Sequence, residues 1–228
     1  MITAIEKALY LIFNPSEELI NILVNTAKLA FSSSIISLIL GVIIGLWLAY
    51  SNNKTKEILI IINRTLVGVP PVVCGLVLFI LFSGVGPFRH LNLMFTIRLM
   101  IVAQVLLITP IVISNMETHL KTIIGPIKET CIGLGFSKTK TFMLVLNESI
   151  YQILTTYLIA FSRAIAEVGA VSMVGGAIAW KTNVMTTAIM MYTNRGDFTL
   201  GVALGIILLI LSFIVNIVVS LLQRKVTK

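Results

Sequence analysis

Charge is what this 228-residue chain has least of: Asp, Glu, Lys and Arg make up 11% of it, against 57% hydrophobic residues. With a mean hydropathy of +1.04, that apolar surface exceeds what a soluble core of this size needs, and it suits a helical membrane protein. Cysteine is nearly absent. Cys74 falls in an apolar run and Cys131 in a polar one, so no disulfide framework or metal spacing can be built, and both read as packing residues. His90 stands alone in a short turn, so no metal site is expected. The pattern G-x-x-x-x-G-K-[ST] is missing, which excludes a phosphate-binding loop of that type within the chain. A cleavable signal is not expected either. The apolar run in residues 1–15 is short and interrupted by Glu6 and Lys7, which predicts an amphipathic helix on the membrane surface.

What is present is a series of long apolar runs. About 20 mostly apolar residues at 1.5 Å each cross a bilayer. Five spans are predicted, at about 20–50, 58–82, 93–117, 149–174 and 200–222, in a single all-α transmembrane domain over 1–228. In the first, Ser32, Ser33, Ser34, Gly41 and Gly45 form a small-residue face suited to close helix packing. In the second, Pro70 and Pro71 predict a kink or break at membrane depth, which is tolerated where it faces protein or a wet cavity. Gln104 in the third is polar and should face a helix or a cavity. In the fourth, Arg163 and Glu167 are four apart on one helix face and can pair. Arg163, Glu167, Ser162, Gln104 and the Pro70-Pro71 break are candidates for lining a translocation path. Their structural alternative is an ion pair and a kink that only fix packing. Residues 181–199 are polar at both ends, with an apolar middle that can dip back toward the membrane.

Residues 119–147 form a polar loop between the third and fourth spans, and Lys128, Glu129, Lys138 and Lys140 place it in water. It reads as two short helices about a glycine turn. Pro126 suits a first helical position, Gly133 and Gly135 can end a helix in the left-handed conformation, and Ser137 can cap a second helix running through Leu146. A helix-turn-helix of this kind, in a chain of net charge +8, could suggest DNA reading. Tethering at both ends to membrane spans argues against a nucleic-acid partner. Lys54, Lys56, Lys121, Lys128, Lys138, Lys140, Arg224, Lys225 and Lys228 fall on one side of the five spans, with fewer cations opposite. The positive-inside rule then puts the loop and the C-terminus in the cytoplasm and the N-terminus outside.

Glu129-Thr130-Cys131-x-x-x-Gly135, with Ser137 and the aliphatic Val145 ten residues beyond the glycine, resembles the EAA loop of ABC importer permeases. Thr130 and Cys131 replace its two alanines, and Glu148 stands where a proline usually closes the motif. Gly68-Val69-Pro70-Pro71, Ala103-Gln104, Thr109-Pro110, Ser162-Arg163-Ala164, Glu167-Val168-Gly169-Ala170 and Lys181-Thr182 resemble the tungstate-type branch of these permeases, close to the molybdate and sulfate ones. The resemblance implies a non-enzymatic type I permease, homodimeric in the lipid bilayer, with the path along the dimer axis. It implies cytoplasmic ATP-binding subunits seated on Glu129–Val145, ATP and Mg²⁺ bound there and no cofactor on this chain. An extracytoplasmic binding protein would deliver a tetrahedral oxyanion, tungstate first, with molybdate or sulfate as alternatives. A gradient-driven secondary transporter is the rival reading. It would need coupling ions and repeated halves, and five spans fit inverted repeats poorly.

Overall fold

Small residues at four-residue spacing decide the central packing. Ser33, Ser37, Gly41 and Gly45 form a buried stripe along α2 (Glu17–Tyr50). Ser33 meets Gln104 on α5 (Ile97–Gly133), 71 residues further on. Gly41 meets Val112 and Gly45 meets Met116 at the same offset. A constant offset means that the two helices run parallel. A Cβ at Gly45 would stand 2.8 Å from that of Met116, so the glycines are what permit this approach. Both helices begin on side-chain caps: Ser16 accepts from the Leu19 N–H at 3.2 Å, and Thr96 accepts from the Leu99 N–H at 3.4 Å.

The computed structural model describes residues 2–51 and 55–226; Lys54 and Lys228, counted above for orientation, lie outside them. Around the α2–α5 pair stand α1 (Ile2–Phe13), α3 (Thr55–Val67), α4 (Pro71–Phe82), a 3₁₀ turn at Arg89–Leu91, α6 (Lys138–Glu148), α7 (Ile150–Ala166), α8 (Gly169–Gly175), α9 (Met185–Asn194) and α10 (Phe198–Val226). No strand occurs among the described residues. Three helices, α2, α5 and α10, are each long and apolar enough to cross a membrane. Counting two bent helix pairs raises the number to five: α3 with α4, at 98°, and α6 with α7, at 50°.

The break expected at Pro70-Pro71 is present, and two other expectations change. The second span is two helices nearly at right angles, because Pro70 and Pro71 remove consecutive donors and Pro70 is extended (φ −60°, ψ 129°). The fourth is not one helix through 149–174: α7 stops at Ala166 and α8 starts at Gly169. Pro126 does not open a short helix, because it lies inside α5, which is continuous from the third span into the polar loop. Ile123, Ile124 and Ile127 pack on the cluster that contains Val145 and Phe161, and this packing holds the helical path across the proline. The N-terminal helix forms, and it also packs against protein: Ala8 is buried in one cluster with Ala203, Leu204 and Ile207 of α10, while Ile5, Leu9 and Phe13 stay exposed.

Candidate functional site

The first assembly is the elbow between α5 and α6. At the end of α5 the Phe136 N–H donates to the Cys131 carbonyl at 2.9 Å and the Gly135 N–H to that of Ile132 at 3.0 Å. This is the Schellman arrangement, and Gly135 supplies the left-handed residue it needs (φ +69°). Gly133 does not share that role; it is the last helical residue. Ser137 caps α6 by accepting from the Lys140 N–H at 3.3 Å, and the Lys140 ammonium sits 3.7 Å from the centre of the Phe136 ring. Cys131 and Val145 are buried, Val145 of α6 in one cluster with Leu120 and Ile127 of α5, while Glu129 and Thr130 face outward. A groove of about 470 Å³ runs along this corner, with Pro126, Thr130, Cys131, Phe136, Leu144 and Glu148 in its walls. Sequence reasoning missed the large apolar side chains presented beside it, Ile132, Leu134 and Met143, each more than 60% exposed. Their signal was apolar residues persisting in a stretch otherwise fit for water.

The second assembly is where the two broken spans meet. A Cβ at Gly75 on α4 would stand 2.8 Å from the Cα of Ala170 on α8, and one at Gly169 would stand 2.8 Å from Val72. Glycine on each side lets the start of α4 lie against the start of α8. At the α7–α8 break Glu167 is extended (φ −75°, ψ 128°). Its carboxylate does two things: Oε2 lies 3.4 Å from Arg163 Nη2, and Oε1 accepts from the Ala170 N–H at 3.2 Å, capping the first turn of α8. Arg163 and Glu167 thus pair at the predicted spacing, although Glu167 has left the helix. The carboxylate is buried at 5% exposure and the guanidinium is 40% exposed. Ser162, beside it, is half-buried. The site therefore offers a cation whose charge is largely balanced and whose outer edge remains free for an anion.

Gln104 reaches the same break from α5. Its Nε2 donates to the Ala164 carbonyl at 2.8 Å, and its Oε1 accepts from Ser33 at 2.6 Å. From the far side the Thr186 hydroxyl donates to the Glu167 carbonyl at 3.1 Å. Thr186 belongs to a buried polar group that the sequence showed only as the polar end of 181–199. In that group Thr182 donates to the Gly175 carbonyl, and Thr187 accepts from the Val184 N–H and donates to Asn183 Oδ1. Together these bonds fix the return from α8 to α9. Pro70 is exposed and Pro71 half-buried at the neighbouring break.

Residues 41–228, which include the elbow and both breaks, match the family described as binding-protein-dependent transport system inner membrane component. The chain belongs to that family. This permease is 35% identical over 182 residues, 80% of each chain, to the tungstate uptake system permease protein TupB of Peptoclostridium acidaminophilum. It is 31% identical over 219 residues to the protein of the same description from Campylobacter jejuni, covering 96% of this chain and 92% of the relative. A probable anion ABC transporter permease protein of Haloferax volcanii is 33% identical over 202 residues, 86% and 85% of the two chains. The permease is thus a multi-pass membrane component of a transport system, and its apolar exposed surface is what such a protein presents to lipid and partners.

Proposed function

We propose that this permease is the transmembrane subunit of an ATP-driven importer of a tetrahedral oxyanion, with tungstate as the substrate. The observation that carries the reading is the elbow. A single helix runs from the third span past Glu129 to Gly133, the chain turns at Gly135, and an exposed apolar corner stands at the end of the bundle where α2 also ends, the Tyr50 ring 6.2 Å from that of Phe142. That end faces the cytoplasm, with the N-terminus outside, in keeping with the basic residues of the polar loop. Two ATP-binding subunits seat on the elbows of two copies of the permease, and ATP with Mg²⁺ acts there. The broken second span favours a second copy beside it: α3 buries only Asn63 and α4 only Gly75 and Leu78 within one chain. The path runs past Arg163 and Ser162 at the meeting of the breaks. A dianion needs positive potential there but no deep trap if it is to leave again, and Glu167 moderates the guanidinium to that end. The identity of the relatives favours tungstate over molybdate and sulfate.

The test is a gentle detergent pull-down of the tagged permease from its own membrane, followed by uptake in vesicles. Recovery of an ATPase and a binding protein, with tungstate uptake that follows internal ATP and is indifferent to ionophores, supports the reading. Recovery of the permease alone, with uptake that an ionophore abolishes, overturns it in favour of a gradient-driven transporter.

A further inference from the structure

A hydrogen bond from outside α7 holds its break. The extended ψ of Glu167 turns the Val168 N–H away from the helix path, so the Ala164 carbonyl loses the partner that a continuous helix would give it. Gln104 Nε2 takes that place from α5, 60 residues earlier in the chain, at 2.8 Å. The carbonyl also settles the orientation of the amide, because a carboxamide oxygen turned toward it would set acceptor against acceptor. Oε1 therefore faces Ser33, 2.6 Å away on α2. The Ser33 hydroxyl has one proton and a second acceptor in reach, the Leu29 carbonyl at 2.7 Å. Gln104 is 1% exposed and Ser33 fully buried, so the amide, held at both ends, is shielded from a passing ion.

We propose that Gln104 is a positioning residue that keeps α7 bent by capping the Ala164 carbonyl, and so sets where Arg163 and Glu167 stand. Straightening the break would return the Ala164 carbonyl to the Val168 N–H, free the amide, and let the Ser33 proton fall back on Leu29. The bend thus has two exchangeable sets of hydrogen bonds, with Gln104 present in one. Ser33 from α2 and Thr186 from α9 support the same state. The inference rests on the transport reading for its assay, while its geometry is independent of which side chain touches the anion.

The test uses the assembled complex with its ATPase and binding protein, and tungstate as the probe. Uptake is normalised to the amount of assembled complex, so a variant that is merely made or folded less well shows no change. Gln104→Met keeps the length and removes both bonds. Its turnover should fall at least fivefold while KM for the loaded binding protein stays within twofold. The labelling rate of a cysteine at position 162 (Ser162→Cys, with Cys74 and Cys131 replaced by alanine) should shift at least threefold. Ser33→Ala loosens the amide from the other end; it should fall in the same direction by a smaller factor, and the double variant should be no worse than Gln104→Met. Should Gln104→Met fail to assemble, the same measurements on Ser33→Ala decide. Unchanged turnover in the assembled variants overturns the proposal, as does a raised KM at unchanged turnover, which would mean that Gln104 meets the substrate. If Arg163→Ala transports normally while Gln104→Met is slow, the pathway reading fails and the positioning role stands.

Discussion

Arg163 and Glu167 have unequal surroundings, and that inequality decides what their substitution should do. The guanidinium is two-fifths exposed and the carboxylate almost wholly buried, so removing Arg163 takes the ion pair from a buried carboxylate, leaving it the Ala170 N–H, and costs stability. Uptake by Arg163→Ala is therefore normalised to the assembled complex, where it should fall at least tenfold; normal uptake there would remove Arg163 from the path. Glu167→Ala takes away the cap on the Ala170 N–H and should lower the stability of the purified complex by about 1 kcal/mol, read as a lower melting temperature. Glu167→Gln keeps an acceptor there and should lose less than half as much. The Arg163–Glu167 contact was legible in the sequence because a spacing of four depends on helix pitch alone. Gln104 on Ala164 and Thr186 on Glu167 were not. Those bonds join residues brought together only by the packing of α5, α7 and α9, and no local pattern records them.

Among the elements, the elbow is where local chemistry and tertiary packing can be separated. Gly135 and Ser137 followed turn and cap rules that act over a few residues, and both do in the structure what those rules require. Pro126 followed a rule too, the preference of proline for a helix start, and there the rule lost. Pro126 is exposed beside the groove, where the carbonyl it leaves unpaired can be hydrated, while Ile123, Ile124 and Ile127 next to it hold the helix against the bundle. A Cβ at Gly135 would meet nothing within 4 Å, so the cost of a side chain there is conformational alone. Gly135→Val should cost about 1–2 kcal/mol at that residue and reorient α6, so binding-protein-stimulated ATP hydrolysis falls several-fold while membrane insertion persists. Gly135→Asn, which tolerates the left-handed region better, should retain most of the stimulation. Equal stimulation in the valine variant and the unaltered complex would detach the elbow from coupling.

Across the whole molecule, the spans were legible because the bilayer sets their length, and the Pro70-Pro71 interruption because proline lacks a donor. That the two interruptions meet was not, since it depends on Gly75 and Gly169 admitting backbone from other elements. The other large-scale feature is the uninterrupted length of α5: 37 residues, about 55 Å at the usual rise. A rod fixes azimuth as well as distance. The compass heading of the docking corner is locked to the phase of the third span, as a key's bit is to its bow. One alanine inserted after Thr122 would turn everything beyond it by about 100° and advance it about 1.5 Å, whereas seven would restore the heading to within about 20° while lengthening the rod by about 10 Å. ATP-driven uptake in such an insertion series should rise and fall with helical phase before length ends it. A monotonic decline would mean that the connection behaves as a tether, and that force reaches the span with no memory of direction.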